Sequence, residues 1–119
     1  MYSPQLLDHF QNPRNVGEIA DADAAAEIEN PACGDVLRLT IKVNQGRISQ
    51  VRFKAKGCVA AIACSSALTE LLAGKTFEDA KSLQREDITD VVGGLPQAST
   101  HAAQLAIDAL SAALRDSNF

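Results

Sequence analysis

The stretch "DVLRLTIKVNQGRISQVRFKAKG" (Asp35–Gly57) decides the fold. In its first half, apolar residues alternate with polar residues from Leu37 to Val43, which is the period-two pattern of a half-buried strand. In its second half, apolar residues alternate with basic ones over Val51–Lys56. Asn44-Gln45-Gly46 separates the two runs, and an Asn-x-Gly segment in this position indicates a hairpin. The stretch therefore predicts two antiparallel strands.

Two elements are predicted before this hairpin. Ser3-Pro4 begins a short helix, because serine caps helix N-termini and proline fits the first helical position. Asn12-Pro13 ends that helix. The residues Ala24–Asn30 predict an edge strand, which would extend the hairpin to a sheet of about three strands.

After Gly57 the period becomes helical, and apolar residues recur at helical spacing until Gly74 ends the helix. Three more helices are predicted: one capped by Thr76, with Asp79 three residues later; one that starts at Asp87 and stops at Gly93-Gly94; and one from Ser99 to about Leu114. Because the strands precede the helices, the predicted class is α+β. An antiparallel β-sheet carries helices packed on one face, in a single domain over residues 1–119.

Composition limits the classes of function. A chain of 119 residues, 46% of them hydrophobic, can bury one core. The net charge is -4 and the basic residues are scattered, so the basic footprint of a nucleic-acid-binding protein is missing. No apolar run approaches the roughly 18 residues of a membrane span, and the N-terminus lacks a signal-peptide pattern. We therefore expect a cytoplasmic protein with no nucleic-acid or membrane partner.

The three cysteines are the first candidates for chemistry, because thiols in a reducing compartment are free, buried or metal-bound. Cys33 and Asp35 lie two residues apart at the start of the first clear strand, so their side chains point the same way and can converge on one ligand. Gly34 leaves room for that ligand to approach the backbone. A loop cysteine beside an aspartate that only caps backbone N–H groups is the alternative interpretation.

Cys58 and Cys64 belong to the same predicted helix, six positions apart. Cys58 lies at the N-terminus of that helix, where unpaired N–H groups and the helix dipole favour a thiolate. Cys64 lies about 120° further around a regular helix, so the two thiols cannot face one ligand. Cys64 shares the apolar stripe of Ala61 and Leu68, and core packing is the favoured interpretation for it.

His101 is predicted in the first turn of the last helix. A lone helical histidine is commonly a surface residue or a hydrogen-bonded core residue. Joined to the thiolates of Cys33 and Cys58 and the carboxylate of Asp35, however, it would complete a four-ligand set suited to zinc, ferrous iron or an iron-sulfur cluster. His9 has no cysteine near it in the sequence, and it is not included in this set.

Several blocks of the chain together resemble the NifU/IscU family of iron-sulfur cluster assembly scaffolds. The blocks are "YSPQLLDHFQNPRNVGE" (Tyr2–Glu18), "NPACGD" (Asn30–Asp35), "KGCVAAIACSSALTELLAGKT" (Lys56–Thr76), and "GGLP" followed by "HAAQLAIDAL" (Gly93–Leu110). They cover nearly the whole chain in the family's order. The resemblance implies an antiparallel sheet with helices on one face and a scaffold instead of an enzyme. It also implies that a cysteine desulfurase supplies sulfur as persulfide, that a [2Fe-2S] cluster is built with iron, and that the cluster passes to acceptor apoproteins.

The resemblance also assigns residues. Cys33 falls on the family's first cysteine and Asp35 on its aspartate. Cys58 falls on the second cysteine and His101 on the family's histidine. The resemblance therefore implies that these four residues are the metal and cofactor ligands. The family's third cysteine follows that histidine, and Ala102 stands there in this chain.

Leu95–Ser99 keeps only the start of the stretch that contacts an Hsp70-type chaperone in the family, so no such contact is expected.

The missing third thiol leaves three interpretations, because in the family that cysteine is the usual persulfide acceptor. The first is a diverged scaffold that binds iron, zinc or a labile [2Fe-2S] cluster. The second is a non-catalytic module that binds a partner or regulates cluster assembly. The third is a persulfide sulfur acceptor that uses Cys58 or Cys33 in thiol exchange. Helix geometry argues against Cys64 as a replacement for the missing thiol.

Overall fold

A computed structural model describes residues 1–31 and 33–117. Over these two ranges the chain forms three strands and five α-helices. The elements in chain order are α1 (Pro4–Gln11), β1 (Ala24–Asn30), β2 (Asp35–Asn44), β3 (Arg47–Lys56), α2 (Val59–Leu72), α3 (Phe77–Lys81), α4 (Arg85–Val91) and α5 (Thr100–Arg115), with a short 3-10 helix at Gln97–Ser99. The predicted order of elements and the α+β class are confirmed.

The three strands form one antiparallel sheet in the order β1-β2-β3. Gln45 and Gly46 adopt positive φ angles of 54° and 76° between β2 and β3, as a tight hairpin turn requires. At the other end of the sheet, Asn30 lies opposite Asp35 and Val36 lies opposite Lys56. This register brings the β1–β2 connection and the end of β3 to the same end of the sheet.

The helices cover one face of the sheet, as predicted. Leu37, Leu39 and Ile41 of β2 have no exposed surface, and α5 packs across β1 and β2 while α2 packs against β3. Each such side chain stabilises the fold by about 1.5–3 kcal/mol. On the opposite face, Arg38 and Lys42 form ion pairs with carboxylates of the 18–21 segment. The alternation in the sequence therefore separates the core face from the charged face.

The start predicted for the fourth helix is wrong. The helix α4 begins at Arg85, two residues before Asp87. The Asp87 carboxylate accepts a hydrogen bond of 2.8 Å from the backbone N–H of Gln84, the N-cap residue. An acidic residue that caps in this way lies at the third helical position, not at the cap itself. The Thr76 cap of α3 is confirmed, since its hydroxyl accepts the Asp79 N–H at 3.2 Å.

The N-terminal helix α1 packs on α2 through a buried polar contact. His9 is 5% exposed, and its Nδ1 lies 2.8 Å from Ser66 Oγ. The same oxygen accepts the backbone N–H of Arg14, while His9 Nε2 lies 3.3 Å from Glu70. His9 thus packs among groups of α1, α2 and the segment between α1 and β1.

None of the helices in the described part of the chain combines the length and apolarity needed to cross a bilayer.

Candidate metal centre

Three structural elements bring the candidate ligands together at one end of the sheet. Asp35 is the first residue of β2, and Cys33 lies in the turn before it. Cys58 is the N-cap residue of α2, directly after β3 and Gly57. His101 lies in the first turn of α5. Four residues that are spread over the sequence therefore converge because the strand register and two helix starts meet at this end.

Asp35 is at the centre of this group. Its side chain is 4% exposed, and its Oδ2 lies 3.5 Å from Cys58 Sγ and 3.5 Å from His101 Nε2. Its Oδ1 accepts the backbone N–H of Cys58 at 3.2 Å. Cys58 Sγ lies 4.0 Å from His101 Nε2. One carboxylate therefore contacts both the thiol and the imidazole and fixes the start of α2.

Cys33 completes the group on its exposed side. Ligand atoms of Cys33, Asp35 and His101 all lie within 4.8 Å of one another. Cys33 is exposed, whereas Asp35 is buried and His101 is half-buried. The group is therefore closed toward the core and open at Cys33.

Three of the four donors have separations close to those around a tetrahedral metal ion. Metal–sulfur bonds of about 2.3 Å and metal–nitrogen or metal–oxygen bonds of about 2.0 Å place the donors of one tetrahedron roughly 3.3–3.8 Å apart. The separations of 3.5, 3.5 and 4.0 Å among Asp35, Cys58 and His101 come close to this range. Two sulfurs, one imidazole and one carboxylate suit Zn(II), Fe(II) or the iron of a cluster. The residues present therefore fit the implied group.

The thiolate predicted at Cys58 is not favoured in this structure. Burial raises the pKa of the Cys58 thiol, and the neighbouring Asp35 carboxylate raises it further. The backbone N–H groups of Ala61 and Ala60 act in the opposite direction, and the Ala61 N–H is 3.4 Å from the sulfur. The helix N-terminus does favour the thiolate, as expected, but burial and the carboxylate outweigh it. A bound cation would displace the thiol proton, because only the thiolate binds metal.

Gly57 is a part of the site that the sequence interpretation missed. Its φ is 150°, and a Cβ atom at this position would lie closer than 3.0 Å to the Asp35 carboxylate. Glycine therefore provides the backbone conformation between β3 and α2 and the space that Asp35 fills. A glycine immediately before a candidate ligand at a strand-to-helix junction was the available signal.

Cys64 and Ala102 belong to the core. Cys64 has no exposed surface, and burial raises the pKa of its thiol to about 12. Ala102 is 1% exposed, although it follows the half-buried His101. The favoured core interpretation of Cys64 agrees with this burial.

Comparison with known proteins gives the family. The model of the NifU-like N terminal domain matches residues 1–118 of this chain. The chain belongs to the NifU/IscU family. An iron-sulfur cluster assembly scaffold protein IscU of Archaeoglobus fulgidus is 48% identical over 116 residues, which cover 98% of this chain and 76% of that protein. The IscU scaffold protein of Azotobacter vinelandii is 44% identical, over 97% of this chain and 92% of that protein.

Solved structures support the NifU/IscU fold. A nitrogen-fixing NifU-like protein (N-terminal) from Brucella abortus superposes with a TM-score of 0.76, covering 95% of this chain and 91% of that chain. Its sequence identity is 19%, so this likeness concerns the fold alone. The antiparallel sheet with helices on one face is therefore the fold of this family.

Proposed function

We propose that this chain is an iron-sulfur cluster assembly scaffold that holds iron or a [2Fe-2S] cluster through Cys33, Asp35, Cys58 and His101. The observation that carries this proposal is the approach of Cys58 Sγ and His101 Nε2 to the same Asp35 oxygen, at 3.5 Å each. The proposal is also supported by the relatives from Archaeoglobus fulgidus and Azotobacter vinelandii, which are named IscU scaffold proteins. A protein of this kind binds and releases its metal cargo without catalysing a reaction of its own.

The donor set explains how such cargo would be held. Two thiolates bind a cluster less tightly than three, because iron in clusters favours sulfur ligands. Asp35 and His101 supply harder donors in place of the thiol that Ala102 cannot offer. The proposed cargo is therefore iron or a labile [2Fe-2S] cluster, and Zn(II) is the ion that the same donors would hold as a single metal.

Two partner classes follow from this proposal. A cysteine desulfurase would supply sulfur, and acceptor apoproteins would receive the finished cluster. Cys33 is the exposed thiol of the site, so it is the group that an incoming donor can reach.

The proposal is tested by anaerobic reconstitution with ferrous iron and sulfide, followed by visible spectroscopy and metal analysis. The variants are Cys58→Ala, which removes a ligand, and Cys64→Ala, which removes a thiol from the core. Wild type and Cys64→Ala are expected to develop sulfur-to-iron charge-transfer bands, and Cys58→Ala to lose them. Equal spectra for Cys58→Ala and wild type would contradict the proposed ligand set.

The reconstitution also separates the other interpretations. Colourless protein with stoichiometric zinc would indicate a single-metal site at the same residues. Colourless protein without metal would overturn the scaffold proposal in favour of a module that only binds partners.

The exposure of Cys33 favours persulfide acceptance as a second candidate function. The Cys33 thiolate would attack the outer sulfur of a donor persulfide, so that an S–S bond forms at Cys33 while the donor's S–S bond breaks and the donor leaves as a thiolate. Mass spectrometry after incubation with a cysteine desulfurase and cysteine would place an added sulfur on Cys33. Unchanged labelling of Cys33→Ala would exclude this role.

A further inference from the structure

An apolar groove lies between α3 and α5, lined by residues that the metal site does not use. It has a volume of about 250 Å³. The residues around it are Phe77, Lys81, Leu83, Leu110, Ser111, Leu114 and Arg115. Leu110 and Leu114 lie one helical turn apart on α5, with Ser111 and Arg115 each one residue further along the same helix. The groove therefore follows the surface of one helix for about a turn.

Two cations line the apolar groove. Lys81 and Arg115 are exposed side chains in the last turns of α3 and α5, and both line the groove. Neither forms an ion pair or a side-chain hydrogen bond within residues 1–31 and 33–117. By contrast, Arg38 and Lys42 on the sheet face are paired with carboxylates. Two unpaired cations beside an apolar groove complement an occupant that has apolar side chains facing the groove and acidic side chains next to them.

The size of the groove indicates whether a small molecule or the side chains of a partner helix would occupy it. Pockets for drug-sized ligands usually enclose about 300–1,000 Å³, and this groove is smaller and partly open to solvent. A groove along one helical turn accepts apolar side chains spaced three or four residues apart, as a docked amphipathic helix presents them. Side chains of a partner helix therefore suit it better than a complete small molecule.

We propose that this groove binds an acidic amphipathic helix of a partner protein. Two leucine-sized side chains enter between Leu83, Leu110 and Leu114, while carboxylates beside them pair with Lys81 and Arg115. Apolar anchors in a pocket give such interfaces most of their affinity, and the charges give orientation and specificity. This binding site is separate from the metal ligands and does not depend on the proposed function.

The test uses two synthetic helical peptides and the full chain labelled with ¹⁵N. One peptide carries leucines at helical spacing with glutamates beside them, and the other carries lysines in place of the glutamates. Wild type is expected to bind the glutamate peptide with a dissociation constant below about 1 mM. The amide shifts should be confined to residues of α3 and α5 around the groove. The absence of amide shifts at about 1 mM glutamate peptide, or equal affinity for both peptides, would overturn the proposal.

Two variants locate the binding. Lys81→Glu with Arg115→Glu is expected to lower the affinity for the glutamate peptide at least about tenfold and to favour the lysine peptide. The control, Lys54→Glu with Lys75→Glu, makes the same change in net charge outside the groove and should keep wild-type preference. An equal loss in the control would mean that net charge alone drives binding, which contradicts the proposal.

Ser111→Phe tests the apolar half of the interaction. Ser111 is exposed, so this change places a ring in the groove without disturbing buried packing. It is expected to abolish peptide binding while the melting temperature stays unchanged. Full binding by Ser111→Phe would exclude the groove as the site. If octanoate shifts the same amides and the peptide does not, the occupant of the groove is a small amphiphile instead. If wild type self-associates with increasing concentration and Ser111→Phe does not, the occupant is a second copy of this chain.

Discussion

Cys58 caps α2 and Cys64 lies six residues further along the same helix, and their surroundings differ completely. Cys58 is half-buried at the N-cap of α2 and contacts Asp35 and His101. Cys64 is fully buried in α2, which packs against α5. Burial raises the pKa of its thiol to about 12. The same residue type is thus a site thiol in the first case and a core residue in the second. The rotation between the two positions around the helix is what separates them.

The comparison extends to the polar groups of α2. At the start of the helix, a buried carboxylate and an imidazole surround a thiol that can bind metal. About two to three turns further on, Ser65, Ser66 and Thr69 are buried and hydrogen-bonded within the protein. The polar groups in both parts of α2 have hydrogen-bond partners. Only those at its N-terminus are arranged as a group of metal-ligand types.

The largest difference is expected in the alkylation of the three thiols by iodoacetamide at neutral pH. A pKa of about 12 leaves Cys64 with a thiolate fraction roughly a thousandfold below that of an ordinary cysteine, and burial blocks the reagent as well. Cys33 should react fastest because it is exposed, and Cys58 should react more slowly because burial raises its pKa. Peptide mass spectrometry over time measures each rate. Labelling of Cys64 as fast as Cys58 would contradict the division between site and core.

Gly57→Ala should disturb the site end of the helix strongly. The new methyl group would meet the Asp35 carboxylate, and the positive φ is unfavourable for alanine, so we expect a loss of about 3 kcal/mol in the free energy of unfolding. Gly46→Ala is the matched control, because it also has positive φ but open space around the added group. Urea unfolding compares the two. Equal losses would mean that backbone strain alone, without the contact to Asp35, accounts for the effect.

Cys64→Ala and Cys64→Ser test the core end. Removing a fully buried sulfur should cost about 1 kcal/mol of stability. Serine should cost more, by roughly 1–3 kcal/mol if its hydroxyl lacks a partner. Both variants should bind zinc with the same stoichiometry as wild type, measured by metal analysis after dialysis. Loss of zinc from a folded Cys64→Ala protein would place this thiol in the site after all.

His9 gives the smallest effect, which depends on pH. Burial lowers the pKa of His9, and the positive charge of Arg14 lowers it further, while Glu70 and Asp8 act in the opposite direction. The unfolded chain therefore takes up a proton at higher pH than the folded chain does. Stability should fall as the pH decreases from about 7 through the unfolded value near 6.5 and on to the lower folded pKa.

His9→Gln serves as the control for this titration. The glutamine amide can bond to Ser66 but does not titrate, so the pH dependence of its unfolding midpoint should be shallower than that of wild type. Identical slopes for the two proteins would assign the dependence to other groups.

Most of the fold was predictable because local patterns and tertiary packing agree. The alternation over Leu37–Val43 corresponds to the buried and charged faces of β2, and the predicted range Ala24–Asn30 is the observed β1. The start of α4 was not predicted correctly, because Asp87 caps from inside the helix. A single acidic residue in a sequence does not distinguish the cap position from the third helical position.

The residues of the candidate site were predicted from the sequence, but their burial and the pKa shift of Cys58 were not. Cys33, Asp35, Cys58 and His101 were proposed as ligands, and the structure brings their side chains together. The direction of the Cys58 pKa shift was wrong, because the Asp35 carboxylate and the depth of burial depend on how β2, α2 and α5 meet. Their role as metal ligands stays a prediction until metal binding is measured.

The sequence by itself determined the periodicity of each element, the helix caps at Ser3 and Thr76, and the six-residue separation that turns Cys64 away from Cys58. These features depend on backbone geometry over a few residues. Only the tertiary structure decided that Asp35 contacts both Cys58 and His101, that Gly57 leaves space for that carboxylate, and that a groove forms beside α5. Such features require residues far apart in the chain to meet, and their burial and electrostatics follow from that packing, not from local propensity.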